Sequence, residues 1–140
     1  SNTDQTMIQK TEIQSVSLPD KLPLNDNDFL PKKKAYEITQ IVNLSAPYTI
    51  SIITLQETKL NISKIENTAI IELINKSVPS GQEYFFEFTS TLNFEFWSSR
   101  QIRVKLNATS IDQFITNGDM AIRGSYEAEK SQLYLSFYRR

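Results

Sequence analysis

The sequence predicts an all-β protein: a single antiparallel β-sandwich of the immunoglobulin-like or Greek-key type, with seven to nine strands and at most one or two short helical turns. Apolar residues recur at every second position over most of the chain from Tyr36 onward, which is the period of a strand with one buried face. Turn residues separate these runs at the spacing typical of sandwiches and barrels. The length, 140 residues, fits one domain. An up-and-down β-barrel is the alternative, and the bulky aromatic residues favour a sandwich because they can fill the space between two sheets.

The N-terminal quarter of the chain is polar and rich in proline. We expect residues 1–12 to be a flexible polar tether and residues 13–140 to form the single β domain. Prolines at positions 19, 23 and 31 interrupt regular structure, because proline lacks a backbone donor and restricts the residue before it. Residues 19–34 are therefore predicted to be an extended surface loop, a type of segment that often carries function.

The middle of the chain predicts strands in sequence order. Residues 36–44 and 48–55 alternate on either side of a turn at 45–47, and a short strand follows around Leu60 and Ile62. Residues 68–74 fit a strand or a helix, and the alternation of three apolar side chains favours the strand. A Pro-Ser-Gly turn at 79–81 then ends this part of the chain.

The longest alternating run covers residues 84–96, with aromatic or leucine side chains at most even positions. A continuous strand of that length would span ~43 Å at about 3.3 Å per residue. We therefore expect a bend or bulge near 89–91, where the side chains are small. The odd positions predict one mixed aromatic and acidic face, made of Phe85, Glu87, Glu95 and Trp97.

The last third of the chain predicts two hairpins and a helical turn. Residues 98–100 are expected to be a hairpin loop, which would bring Arg103 or Lys105 opposite Glu95. The sequence Ser-Ile-Asp-Gln at 110–113 is typical of a capping box, and it predicts a helical turn at 111–116 that ends before Gly118. The chain closes with a predicted hairpin whose turn lies at 129–131.

The composition limits the chemistry. The chain contains no cysteine and no histidine, which removes disulfides, thiol nucleophiles, imidazole bases and most zinc sites. Glu87 and Glu95 would stand ~26 Å apart on a straight strand, too far for a catalytic carboxylate pair. The Asx-rich run at 25–28 offers oxygen ligands, but Leu30 stands where a calcium loop of the EF-hand type needs glycine. We expect no catalytic residue, no metal site and no cofactor; a carboxylate-based enzyme is an alternative.

Charge and hydropathy constrain the partners. The net charge is −1, which gives no general attraction to nucleic acid, and no apolar stretch approaches the ~20 residues of a membrane helix. The polar start is similar to the tether that follows the lipidated cysteine of a bacterial lipoprotein, so a lipid anchor upstream is one expectation. A cysteine-free chain fits several compartments. We expect the bacterial envelope, the periplasm or the extracellular space, with the cytoplasm or a virion as alternatives.

These observations favour a non-catalytic protein–protein interaction or structural module. The general pattern is similar to small β-sandwich domains of bacterial envelope assemblies and of phage or virus particles, so we expect another protein, within a larger assembly, as the partner. A small β-barrel that binds an apolar small molecule is the alternative. The predicted partner-binding residues are Asn25, Asp26, Asn27, Asp28, Phe85 and Trp97.

Overall fold

A computed structural model describes residues 6–9, 30, 33–116 and 118–139 of the chain. Nearly all of the proline-rich loop predicted at 19–34 lies outside the described residues. The predicted partner-binding run at 25–28 lies outside them as well.

The regular structure of the described residues is almost entirely β-strand. These residues form eleven strands, and nine of the eleven have five residues or more, in agreement with the predicted seven to nine. Their bounds are β1 Thr6–Gln9, β2 Lys34–Val42, β3 Tyr48–Thr54, β4 Thr58–Glu66, β5 Ala69–Val78, β6 Glu83–Phe88, β7 Thr91–Phe96, β8 Ile102–Leu106, β9 Thr109–Ser110, β10 Ala121–Glu127 and β11 Gln132–Tyr138. One four-residue helix, α1, covers Asp112–Ile115, and short 3-10 turns occupy Ser99–Gln101 and Ala128–Lys130.

The strands form two antiparallel sheets. The larger sheet has the order β1-β2-β11-β10-β7-β4-β5, and the smaller sheet has the order β6-β3-β8-β9. Both sheets are open at their edges, so the sandwich prediction is confirmed and the barrel alternative is wrong. The enclosed apolar-ligand site that a closed barrel would provide is therefore not formed.

The described strands cross between the two sheets six times, and two of these crossings bear on the sequence predictions. The bend expected near residues 89–91 is confirmed, because the chain leaves the smaller sheet after β6 and enters the larger sheet at β7. The predicted hairpin at 98–100 is wrong, since β7 and β8 lie in different sheets. Arg103 and Lys105 consequently face β3, and the residue beside Glu95 is Arg123 of β10.

Three other local predictions agree with the structure. Residues 68–74 contribute to strand β5, and the helical turn expected at 111–116 is present as α1. The terminal hairpin is formed by β10 and β11. Four residues of the segment predicted to be a tether, Thr6–Gln9, form β1 and pair with β2 at the edge of the larger sheet.

The hydrophobic core fills the space between the sheets. The inward side chains of both sheets are fully or almost fully buried, and the largest are Tyr126, Phe94, Phe96 and Phe137. Phe94 stacks on Phe96 with ring centroids 5.1 Å apart, and it lies over Gly124, the residue opposite it on β10. A Cβ atom at position 124 would overlap the Phe94 ring, so this position requires glycine. Within the described part of the chain, no helix is long and apolar enough to cross a membrane.

Candidate functional site

The two aromatic residues predicted to share a face lie on opposite sides of the sandwich. Phe85 lies on β6 of the smaller sheet, whereas Trp97 directly follows β7 of the larger sheet. Because the chain crosses between the sheets at residues 89–90, the odd positions before and after the crossing point away from each other. The predicted common face of Phe85, Glu87, Glu95 and Trp97 is therefore wrong.

The outer face of the smaller sheet exposes apolar side chains. Phe85 is 61% exposed and Ile53 is 40% exposed. Ser51 pairs with Phe85, so Ile53 lies one step along β3 on the same face. Leu55, which directly follows β3, is 46% exposed. We call this surface the Phe85 face, and it comprises Phe85, Glu83, Glu87, Ser51, Ile53, Arg103 and Lys105.

Charges of opposite sign lie on the two sides of this face. Glu83 and Glu87 flank Phe85 on β6, and Arg103 and Lys105 lie on β8 beyond the intervening strand β3. Two strand spacings separate β6 from β8 by about 10 Å. Arg103 Nε pairs with Asp112 Oδ2 at 3.9 Å, on the β8 side of the face, and the edge of the face at β6 is acidic.

The backbone of β6 is open on the side away from β3. β6 is the last strand of the smaller sheet. Thr54 donates its N–H to the carbonyl of Gln82 at 2.9 Å, which shows that the even-numbered backbone groups point towards β3. On the opposite side, Lys64 Nζ donates to the carbonyl of Glu87 at 3.3 Å. Because backbone groups alternate along a strand, the N–H and C=O groups of Glu83 and Phe85 point outward, where no described strand pairs with them.

A cleft of about 500 Å³ adjoins the C-terminal end of β6. Tyr48 and Phe88 stack within it, with ring centroids 5.6 Å apart, and Lys64 pairs with Glu66 at 2.9 Å on its rim. The residues that line the cleft are Ala46, Pro47, Tyr48, Lys64, Glu66, Glu87, Phe88 and Thr89. The open edge of β6 therefore continues into an aromatic surface with a charged rim.

The outer face of the larger sheet has the opposite character at its central strands β10, β7 and β4, where it is polar and buried. Glu95 is fully buried, and its two oxygens accept from Asn61 Nδ2 at 3.0 Å and from Arg123 Nε at 2.9 Å. Burial raises the pKa of the Glu95 carboxyl to about 7, because desolvation disfavours the charged form. The Asn61 amide acts in the opposite direction, as does the positive charge of Arg123.

The next row of this face contains buried polar side chains without partners. Ser125, Asn93 and Ser63 lie side by side across β10, β7 and β4. Both hydroxyls and the Asn93 side-chain amide make no hydrogen bond within the part of the chain that the structure describes. A buried polar group that makes no hydrogen bond at all lowers stability by about 1–3 kcal/mol in general.

Trp97 lies at one end of the same face. Its ring is half-buried and packs with a small cluster of Leu30, Ala121 and Tyr138, and Lys59 Nζ stands 5.7 Å from the ring centroid. A second cleft, of about 480 Å³, lies beside it and is lined by Glu57, Thr58, Lys59, Ser77, Trp97 and Gln101. Trp97 thus packs against other residues of the fold, whereas the Phe85 ring faces solvent.

The carboxylates of the described residues do not form a cluster of three that could hold a metal ion, and Glu87 and Glu95 do not form a pair. Glu87 and Glu95 are on opposite outer faces of the sandwich, so the pair considered for catalysis is not formed. Among the described residues, no three acidic side chains cluster as metal ligands would.

The sequence analysis predicts Phe85 as a partner-binding residue but does not identify the exposed residues around it. Ile53 breaks the alternation of β3, because it directly follows the buried Ile52. An extra apolar residue in an otherwise alternating run is a signal of an exposed apolar side chain, and it could have pointed to this face. Comparison of the chain with protein-family models, with curated proteins and with solved structures finds no match.

Proposed function

We propose that this protein is a non-catalytic module that binds another protein through the Phe85 face. The observation that carries the proposal is the Phe85 ring, 61% exposed on the edge strand of an open sheet face and close to the exposed Ile53. Complete burial of such a side chain is worth about 1.5–3 kcal/mol. Aromatic side chains with a polar surround are typical of the residues that dominate protein interfaces.

The absence of cysteine and histidine from the sequence supports a binding role over a catalytic one, because these residues supply most nucleophiles and general bases. The proposal includes a place in a bacterial envelope assembly, as a periplasmic lipoprotein, or in a phage or virus particle. A cysteine-free chain is compatible with this part, since it is insensitive to the redox state of its compartment.

The test is photo-crosslinking in cells of the source organism. A photoreactive phenylalanine analogue is placed at position 85, and a matched control places it at position 70 on β5, where Ile70 is 42% exposed on the larger sheet. We expect a specific protein adduct from position 85, identified by mass spectrometry, and no equivalent adduct from position 70.

The identified partner then allows an affinity measurement. Phe85→Ser should weaken binding by at least about 30-fold, the loss typical of a central interface residue, and Ile70→Ser should leave the affinity unchanged. The proposal fails if position 85 gives no specific adduct, or if the two serine variants bind the partner equally well.

A further inference from the structure

We infer that the partner contributes an extended segment that adds as a strand to the open edge of β6, with basic, apolar and basic side chains opposite Glu83, Phe85 and Glu87. This inference rests on the proposed function and specifies the chemistry of the partner.

The backbone of β6 supplies the first argument. The N–H and C=O groups of Glu83 and Phe85 point away from β3, as the contacts of Gln82 and Glu87 on opposite sides of the strand show. Outward backbone groups on an edge strand are the template that strand addition uses. A residue placed opposite Phe85 in an antiparallel segment would exchange two hydrogen bonds with it.

The side chains of β6 supply the second argument, which concerns specificity. On the outer face, a segment beside β6 meets Glu83, Phe85 and Glu87 in turn. Opposite charges and aromatic–β-branched pairs across neighbouring strands each contribute about 0.2–1 kcal/mol, which favours the order basic, apolar, basic. On the other side of the strand, Tyr84 and Phe86 are half-buried and packed against the core. The intervening positions of the segment would therefore be apolar.

The same charges argue against a second copy of this chain as the occupant. Antiparallel pairing of two β6 strands about Phe85 would place Glu83 of each copy opposite Glu87 of the other. Like charges directly opposite each other are destabilising. The acidic edge therefore favours a different, basic segment over self-association.

A short peptide tests the inference directly. The probe is the capped peptide acetyl-Thr-Lys-Val-Ile-Val-Lys-Thr-amide, titrated to 2 mM into the ¹⁵N-labelled full chain and followed by amide chemical shifts. The expected result is a saturable set of shifts concentrated on Glu83–Phe88. No binding in this range, or shifts concentrated on the other exposed edge strand, β5, would overturn the inference.

N-methylation of the peptide isolates the backbone contribution. A methyl group on the central isoleucine nitrogen removes the donor to the Phe85 carbonyl and leaves that carbonyl unsatisfied, so affinity should fall about 10-fold. The matched control carries the methyl group on the preceding valine nitrogen, which points away from β6, and its affinity should stay within about 3-fold of the parent. Equal effects of the two methyl groups would exclude strand addition.

Charge reversal isolates the side-chain contribution. The double variant Glu83→Lys/Glu87→Lys should bind the lysine peptide about 10-fold more weakly, because two attractive cross-strand pairs become repulsive. It should prefer the peptide in which both lysines are glutamates. Glu129→Lys, an exposed change at the turn before β11, is the control with unchanged affinity. Equal affinity of the unmodified protein for the two peptides, or dimerisation through β6 without peptide, would contradict the inference.

The outcomes separate this inference from the proposed function. A partner could crosslink at position 85 while N-methylation of the peptide and charge reversal on β6 leave binding unchanged. That outcome would keep the Phe85 face as the interface and exclude strand addition. Specific peptide binding to β6 without any crosslinked partner would support strand addition and remove the proposed function.

Discussion

Glu95 makes the stability of this protein depend on pH. Burial raises the pKa of its carboxyl to about 7, from the ordinary value of 4.5. Between these two values the folded protein retains a proton that the unfolded chain has released. Because the unfolded state then binds fewer protons, the free energy of unfolding falls as the pH rises through this interval. Glu95 contributes no further slope below pH 4.5 or well above pH 7.

The size of the stability change follows from the difference between the folded and unfolded pKa values of Glu95. A difference of about 2.5 pH units, at about 1.4 kcal/mol per unit, corresponds to about 3 kcal/mol of stability lost between pH 4.5 and pH 7. That amount is a large part of the free energy of unfolding of a folded domain, which is typically about 5–15 kcal/mol.

The measurement is urea unfolding at constant ionic strength between pH 4.5 and 8, for the unmodified protein and for Glu95→Gln. Glutamine keeps the shape of the side chain and an oxygen that accepts the hydrogen bond from Asn61. Glutamine does not titrate. Arg123 stays charged over the whole range, so its altered pairing shifts the variant's curve by a constant amount. The stability difference between the two proteins should change by about 3 kcal/mol across the interval.

Two results would refute this reasoning. Parallel curves would mean that Glu95 does not titrate differently on folding. A gain in the stability of the unmodified protein relative to Glu95→Gln with rising pH would mean that the Arg123 charge outweighs desolvation. Asn61→Ala provides an independent check: removal of the amide that favours the carboxylate should move the upper end of the interval to higher pH.

Three further predictions concern packing and hydrogen bonds, and urea unfolding at neutral pH measures each. Gly124→Ala should lose about 1–3 kcal/mol because its methyl group overlaps the Phe94 ring; combination with Phe94→Leu should recover part of the loss, and additive losses would contradict the overlap. Tyr126→Phe should lose about 1–2 kcal/mol, because the hydroxyl donates to the buried Val42 carbonyl at 2.6 Å; an unchanged stability would show that this bond contributes nothing. Ser63→Ala should leave stability unchanged or raise it by about 1 kcal/mol, since it removes a buried hydroxyl that has no described partner; a loss above 1 kcal/mol would reveal a partner for that hydroxyl.

The strands could be predicted from the sequence because the alternation of apolar and polar residues is a local property. The run from residue 84 to 96 predicted two faces, and the small side chains at 89–91 predicted its break. Alternation reports the face of a strand but not the sheet to which the strand belongs. The crossings at 89–90 and after β7 are set by long-range strand pairing, such as that of Phe96 with Ile122. A periodic pattern in the sequence does not indicate which strands pair.

The same limitation explains the errors at the candidate site. Phe85 was identified because an aromatic residue on the polar side of an alternating run is unusual, and this signal is local. Glu95 and Trp97 have the same local pattern, yet they lie on the opposite outer face. Glu95 is buried there beside Arg123, 28 positions later in the chain. Its burial and raised pKa depend on the neighbours that β4 and β10 bring to β7.

The two outer faces of the sandwich reverse the usual distribution of polar and apolar residues. The larger sheet buries Glu95, Asn93 and Ser63, whereas the smaller sheet exposes Phe85 and Ile53. Hydrophobic burial drives folding, so an exposed ring on an edge strand adds little to the stability of the folded chain. The fold therefore accounts for the core aromatic residues but not for Phe85, and the protein-binding role proposed for the Phe85 face would give its position a reason.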